Sequence, residues 1–375
     1  MCKKYSILFD SYHLYHLPQF EPLIKLLSDD ERFDVYHSTS REIDKEEYEL
    51  CVSILKNKPG KLITGKTEQD RKNQIKELDL DVFICGWSRY DLENFVNPRT
   101  LVGMIYHGIG IKPSYWLDNH ERLDIRFVEG PYRLDQLKAK GIGTDLALTG
   151  FIKLDELFQD NAINIGSLEK EFRIDPSKKT ILFAPTFYPS SVEPIGIKLG
   201  EYTKGYNLLI KPHLWTTFKT KFADINHNIQ RKLFSDLSKK YDHIHLIPPE
   251  WYNIIPFYKV SDLLLTEASS TIYEMLALDK PVVVNRFFKL RLSHRIFRKR
   301  LYKRRLNKGM EKDISDFCFV ANKPRELPEV IEYAFNNAKT KLSAMEKYKD
   351  KMLYKLDGLA AVRARDNILS RLKEN

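Results

Sequence analysis

The chain has 375 residues, 43% of them hydrophobic, and a formal net charge of +10. That length exceeds what one hydrophobic core usually serves, no apolar run approaches the roughly 18 residues of a membrane span, and four scattered cysteines (Cys2, Cys51, Cys85, Cys318) lack the spacing of a zinc knuckle or disulfide framework. Two soluble domains of roughly 150 to 190 residues are therefore expected, and the positive excess points to an anionic partner: a phosphate-rich substrate, an acidic lipid surface or nucleic acid.

In chain order, residues 5–9 read as a first strand and not as a signal peptide, because Asp10 and His13 interrupt the apolar run; a reducing cytoplasm fits. Helices are predicted at 18–27, 45–55 and 67–78, and strands at 33–37, 82–86, 101–106 and 125–128. A helix at 132–140 and a strand at 146–149 close this half. Residues 155–178 are polar and read as a linker. Strands follow at 181–184, 208–210, 244–247, 263–265, 282–284 and 317–320, with a loop at 189–205 and helices at 229–239, from Ser270 or Thr271, and at 327–337. Residues from 339 onward are helical in composition. Such alternation implies parallel sheets covered on both faces, an α/β protein of two doubly wound, Rossmann-like domains with a cleft between them. The expected boundaries are 1–160, 161–345 and a C-terminal helix, 346–375, packing back on the first domain.

Three segments place polar groups just after predicted strands. His107 ends one, followed by Gly108, Gly110 and Lys112, so backbone can approach a ligand beside a group suited to proton transfer. Lys211 and His213 follow the second, and Thr186 the third. The turn Thr266 to Ser270 leads into a helix whose first residues, Ser269, Ser270 and Thr271, add hydroxyls to unpaired backbone N–H groups; they suit a phosphate or simply cap the helix. Thr271 and Glu274 have capping-box spacing, and Glu274 reads as a cap. His13 and His16 read as surface or loop residues. No Walker loop, GxGxxG or HExxH motif occurs. Residues 286–308 hold eleven Lys or Arg and no acid, interleaved with large apolar side chains, the composition of an interfacial or polybasic membrane anchor. Arg298, Lys299, Arg300, Lys303, Arg304 and Arg305 are its expected membrane contacts.

YHGIGIK (106–112), GFIKLD (150–155), ILFAPTF, IKPH and SDLLLTEASSTIYEMLALDKPVV, in this order over roughly residues 80 to 285, resemble the motifs of the CDP-glycerol glycerophosphotransferases of teichoic acid and capsule synthesis. The resemblance implies a GT-B pair of domains, acceptor side first and CDP-donor side second. It also implies transfer of a polyol phosphate, glycerol phosphate foremost, from a CDP-polyol to a hydroxyl of a lipid-linked or polymeric acceptor, with release of CMP. It places the catalytic base on His107, a second histidine of the donor site on His213, and the donor phosphates on Ser269 and Ser270. With them go Lys211, Thr186, Thr266 and Thr271 as donor contacts, and Gly108, Gly110 and Lys112 on the acceptor side. Glu267-Ala268, Ile152-Lys153 and Tyr188-Pro189-Ser190 depart from the family pattern. No protein-bound metal or cofactor is expected, Mg²⁺ arriving with the donor being the open alternative, and no nucleic-acid partner. The protein would work on the inner face of the cell membrane. Rival readings are a GT-B glycosyltransferase using a nucleotide sugar, and a non-enzymatic membrane or polyanion binder.

Overall fold

A computed structural model describes residues 4–109, 119–159, 163–219, 227–304, 306 and 308–374. Among them, β1 (Tyr5–Asp10), β2 (Phe33–Ser38), β3 (Lys61–Ile63), β4 (Val82–Cys85), β5 (Leu101–Ile105), β6 (Ile125–Val128) and β7 (Asp145–Leu148) form one sheet in the order β3-β2-β1-β4-β5-β6-β7. A second sheet comprises β8 (Thr180–Ala184), β9 (Asn207–Ile210), β10 (Ile244–Leu246), β11 (Leu263–Thr266), β12 (Val282–Asn285) and β13 (Phe319–Ala321), ordered β10-β9-β8-β11-β12-β13. The pairings are parallel in both. Each sheet reverses its strand order beside its first strand, which opens a crevice at the carboxyl ends of β1 and β4 and of β8 and β11. The central strands are apolar runs because both of their faces are covered: Ile181 to Phe183 and Leu263 to Leu265 are all fully buried.

Helix α1 (Leu17–Ser28) begins with Pro18 in its first turn and buries Leu17, Phe20, Leu23, Ile24 and Leu27, the spacing of one helical face. Helix α2 (Thr271–Leu276) follows β11. Helix α3 (Ala360–Glu374) comes last and packs against α1. To reach it, the chain crosses back over the first domain at two glycines. A Cβ on Gly130 would lie 2.1 Å from the Met352 carbonyl oxygen, and one on Gly150 (φ +95°) 2.6 Å from that of Tyr354.

The predicted linker at 155–178 is more ordered than its polarity suggests. Ile152–Leu157 forms a 3₁₀ turn and Ile165–Glu171 a helix. The buried Asp155 carboxylate accepts the N–H groups of Ala360 and Ala361 at 3.1 and 2.8 Å and thereby caps α3. Residues 189–205, predicted as a loop, contain the short helices Val192–Ile195 and Leu199–Tyr202, held by burial of Val192, Ile195 and Leu199. The C-terminal helical stretch is two helices, Leu342–Met352 and α3, broken where the chain crosses the glycines.

Candidate active site

One cavity of about 290 Å³ lies between the sheets and is lined from both domains. Tyr15, Gln19, Trp87, Arg89, Tyr106, His107 and Lys153 come from the first, and Thr186, Phe187, Lys211, His213, Tyr252, Ser269, Ser270, Thr271 and Glu274 from the second. His107 stands just beyond β5, and its Nδ1 lies 2.9 Å from the Gly86 carbonyl oxygen. A carbonyl only accepts, so Nδ1 carries the hydrogen and neutral His107 has its lone pair on Nε2. His213, beyond β9, is the reverse. Its Nδ1 accepts the Trp215 N–H at 3.1 Å, which caps the short helix Leu214–Thr217 and puts the imidazole hydrogen on Nε2. The Tyr15 ring touches both, with centroids 5.3 Å from His107 and 5.6 Å from His213.

Two lysines supply positive charge. Lys153 Nζ lies 2.6 Å from Glu274 Oε2, both side chains buried, and Glu274 also accepts the Tyr258 and Ser270 hydroxyls at 3.0 and 3.3 Å. Lys211 Nζ donates to the Trp251 carbonyl, and burial, reinforced by the Lys153 charge, lowers its pKa to about 7. Ser269 Oγ accepts the Thr271 N–H at 3.3 Å. Beneath this wall, the buried Glu267 carboxylate accepts the Thr186 N–H and both the N–H and hydroxyl of Ser191, so it braces the turn after β8. Across the domain boundary, Tyr252 donates to Glu21 at 2.5 Å and Asn253 to Glu156 at 3.0 Å.

The family profile described as CDP-Glycerol:Poly(glycerophosphate) glycerophosphotransferase matches residues 138–370. The chain belongs to this family. Among solved structures, that of the wall teichoic acid polymerase TagF covers 98% of this chain and 89% of its own, with 14% identity and a TM-score of 0.69. A variant of TagF soaked with CDPG aligns over 99% and 90% with 13% identity and a TM-score of 0.69. A putative UDP-N-acetylglucosamine 2-epimerase from Listeria monocytogenes aligns over 99% and 98% with 16% identity and a TM-score of 0.61. At these identities the likeness establishes the GT-B fold. No curated protein matches.

In this glycerophosphotransferase the predicted residues divide. His107, Thr186, Lys211, His213, Ser269, Ser270 and Thr271 share the cavity. Thr266 does not line it: as the last residue of β11 it is fully buried, its hydroxyl donating to the Ala184 carbonyl at 2.7 Å within the sheet. Gly108 is buried and does not line the cavity, and Gly110 and Lys112 lie outside the described residues. Glu274 is not a helix cap, since Ser270 occupies that position without a side-chain cap bond and Glu274 turns to Lys153 instead. His13 and His16, predicted as surface or loop residues, are buried. His13 Nδ1 lies 3.1 Å from both Glu47 oxygens, and the His16 ring lies 5.2 Å from that of His107. Lys153, seen in sequence only as a family departure, is a cavity cation; its place in GFIKLD beside the recognised motifs was the available signal.

The basic segment forms the helices Leu292–Ile296 and Arg298–Arg304. It is tied to the second domain at Tyr188, whose hydroxyl lies 2.6 Å from His294 Nδ1 and whose ring lies 5.2 Å from the Arg291 guanidinium. Leu292, Ile296 and Phe297 are 70%, 63% and 54% exposed, and Arg298, Lys299 and Arg300 are exposed beside them. The side chains of Lys303 and Arg304 and all of Arg305 lie outside the described residues. No helix among the described residues is long and apolar enough to cross a membrane.

Proposed function

We propose that this chain transfers glycerol phosphate from CDP-glycerol to a hydroxyl of a lipid-linked or polymeric acceptor, in the synthesis of a teichoic acid or capsule-type polymer at the inner face of the cell membrane. The observation that carries the reading is the pair of opposite histidine tautomers in one cleft. His107 Nε2 takes the proton of the attacking hydroxyl while its oxygen bonds to the β-phosphorus; the bond from that phosphorus to the bridging oxygen breaks, and CMP leaves with the electron pair. His213, with hydrogen on Nε2, donates to a donor phosphate oxygen. Lys153, protonated Lys211 and the hydroxyls of Ser269, Ser270 and Thr271 meet the charge of the diphosphate, and the transfer depends chiefly on this positioning. The exposed apolar and cationic side chains of 291–300 hold the enzyme beside an anionic lipid surface, where a lipid-linked acceptor resides. Incubation with CDP-glycerol and a glycerol-phosphate-primed acceptor tests the reading. A new phosphodiester with stoichiometric CMP is expected; a glycoside made from a nucleotide sugar, with CDP-glycerol inert, contradicts it.

A further inference from the structure

The loop that follows β4, Gly86-Trp87-Ser88-Arg89, lines the cavity from the first domain and is fixed to the candidate base, because the Gly86 carbonyl oxygen holds His107 Nδ1 at 2.9 Å. The loop itself has little freedom. A Cβ on Gly86 would lie 2.7 Å from the His16 ring, and the buried Trp87 ring is packed with centroids 4.9 Å from Tyr12 and 5.1 Å from His16. On that ring rests the exposed member of the loop, the Arg89 guanidinium, 5.4 Å from the centroid. A cation over an indole face is attracted to it and gives up part of its rotamer freedom before any ligand arrives.

Among the described residues, the lysines and arginines that line the cavity are Lys153, Lys211 and Arg89. The two lysines are buried, and the charge of Lys153 acts on Lys211, so they form one positive locus for the donor diphosphate. Arg89 is exposed and belongs to the loop that holds the base. An acceptor hydroxyl at His107 Nε2 brings the rest of its molecule against this loop. The group an arginine selects there is an oxyanion, and its planar fork matches the two non-bridging oxygens of a phosphodiester. In an acceptor that ends in glycerol phosphate, such a group stands a single three-carbon unit from the attacking hydroxyl. A neutral saccharide end offers none.

We propose that Arg89, steadied on Trp87, binds the phosphodiester nearest the attacking hydroxyl and so selects acceptors that already carry glycerol phosphate over neutral ones. This rests on the glycerophosphotransferase reading and adds to it a residue for acceptor selectivity. Arg89 acts on binding and orientation of the acceptor and takes no part in the bonds made and broken. Because its guanidinium is exposed, salt screens the contact, and an acceptor that relies on it binds less well as ionic strength rises.

The test uses the full chain, saturating CDP-glycerol and two soluble acceptors: the octyl phosphodiester of glycerol, and its methyl triester, which has the same glycerol end and no charge. Wild type should favour the diester in kcat/KM by roughly tenfold at low salt, with the difference carried by KM, and the preference should shrink as salt is raised. Arg89→Gln should bring the ratio close to one. Arg89→Lys, which keeps the charge and loses the fork, should fall between the two. The Kd for CDP-glycerol should be the same in all three proteins. Equal ratios in wild type and Arg89→Gln overturn the proposal. A donor Kd that rises in Arg89→Gln overturns it as well, because the phosphate at Arg89 is then the donor's. Wild type that releases no CMP from CDP-glycerol with either acceptor overturns the transferase reading together with the proposal, and that control tells the two failures apart.

Discussion

Lys153 and Glu274 meet at 2.6 Å in the cleft, one from the 3₁₀ turn that ends the first domain and the other from α2 of the second. A buried charge left without its partner costs about 3 to 5 kcal/mol, whereas replacing both partners by apolar groups is often close to neutral. Lys153→Met should therefore lower stability strongly and raise the KM for CDP-glycerol. Adding Glu274→Leu should recover most of the stability and none of the donor affinity. Urea melts and donor titrations on the single and double variants measure both; recovery of affinity along with stability would make Lys153 a structural ion only.

Lys211 gives opposite pH trends for folding and binding. Its pKa is lowered from 10.5 to about 7 by burial. Unfolded chain thus holds the proton between about pH 7 and 10.5 while folded protein does not, so the destabilising effect of burying the charge is relieved as pH rises through that window. A donor diphosphate favours the charged lysine. CDP-glycerol affinity should accordingly fall from pH 6 to 8.5 as the ligand-free protein becomes more stable. Lys211→Met should show weaker binding at pH 6 and a flatter dependence in both measurements by calorimetry.

Buried parallel strands announce themselves as short apolar runs bounded by polar turns, which is why β8, β9, β11 and β12 were legible in the sequence. β3 was not, being a three-residue edge with Lys61 exposed. Nor was the helix Ile255–Val260, too short to show a period. Within the site, groups that follow strands directly, such as His107 and His213, could be located because α/β sheets bind ligands there. Gln19 and Tyr15 reach the cleft from a helix start, and no local pattern marks that approach. Glu274 has the spacing of a cap, and only the fold shows that Lys153, 121 positions away, takes its carboxylate. Thr266 shows the same limit: its hydroxyl, at a strand end, donates to the Ala184 carbonyl within the sheet and lies 3.3 Å from Thr271 Oγ1 at the cavity wall, and the residue alone does not say which way it faces.

Glu156 faces Asn253, Glu21, Lys58 and Lys153 at the domain boundary, and its carboxyl is pushed up to about 7 by burial first and by the Glu21 charge next. A raised carboxyl pKa contributes stability that is complete below the unfolded value and is lost as pH rises to the folded one. The window here is about pH 4.5 to 7. Glu156→Gln should remove that loss, so its Tm should exceed that of wild type by more at pH 7.5 than at pH 5. Equal differences at both pH values would contradict the burial effect.

The exposed surface of 291–300 should bind anionic vesicles through charge and apolar insertion together. Each cation near the surface contributes about 1 kcal/mol, screened by salt. Changing Arg298, Lys299 and Arg300 to glutamine should weaken sedimentation with phosphatidylglycerol vesicles at low salt. Changing Leu292, Ile296 and Phe297 to serine should weaken the fraction that persists at high salt. Unaltered sedimentation of both variants would remove the segment from membrane contact.

The assignment of different tasks to His107 and His213 is tested most directly by measuring kcat and CDP-glycerol Kd on the same two alanine variants. His107→Ala should lower kcat by roughly 10²- to 10⁴-fold with donor Kd nearly unchanged, and should abolish the fall of rate on the acid side that protonation of the base produces. His213→Ala should raise donor Kd if, as proposed, its Nε2 hydrogen is given to the donor and not to the acceptor. If His107→Ala keeps wild-type turnover, or loses donor affinity with kcat intact, the base is not His107 and the account of the cleft is wrong.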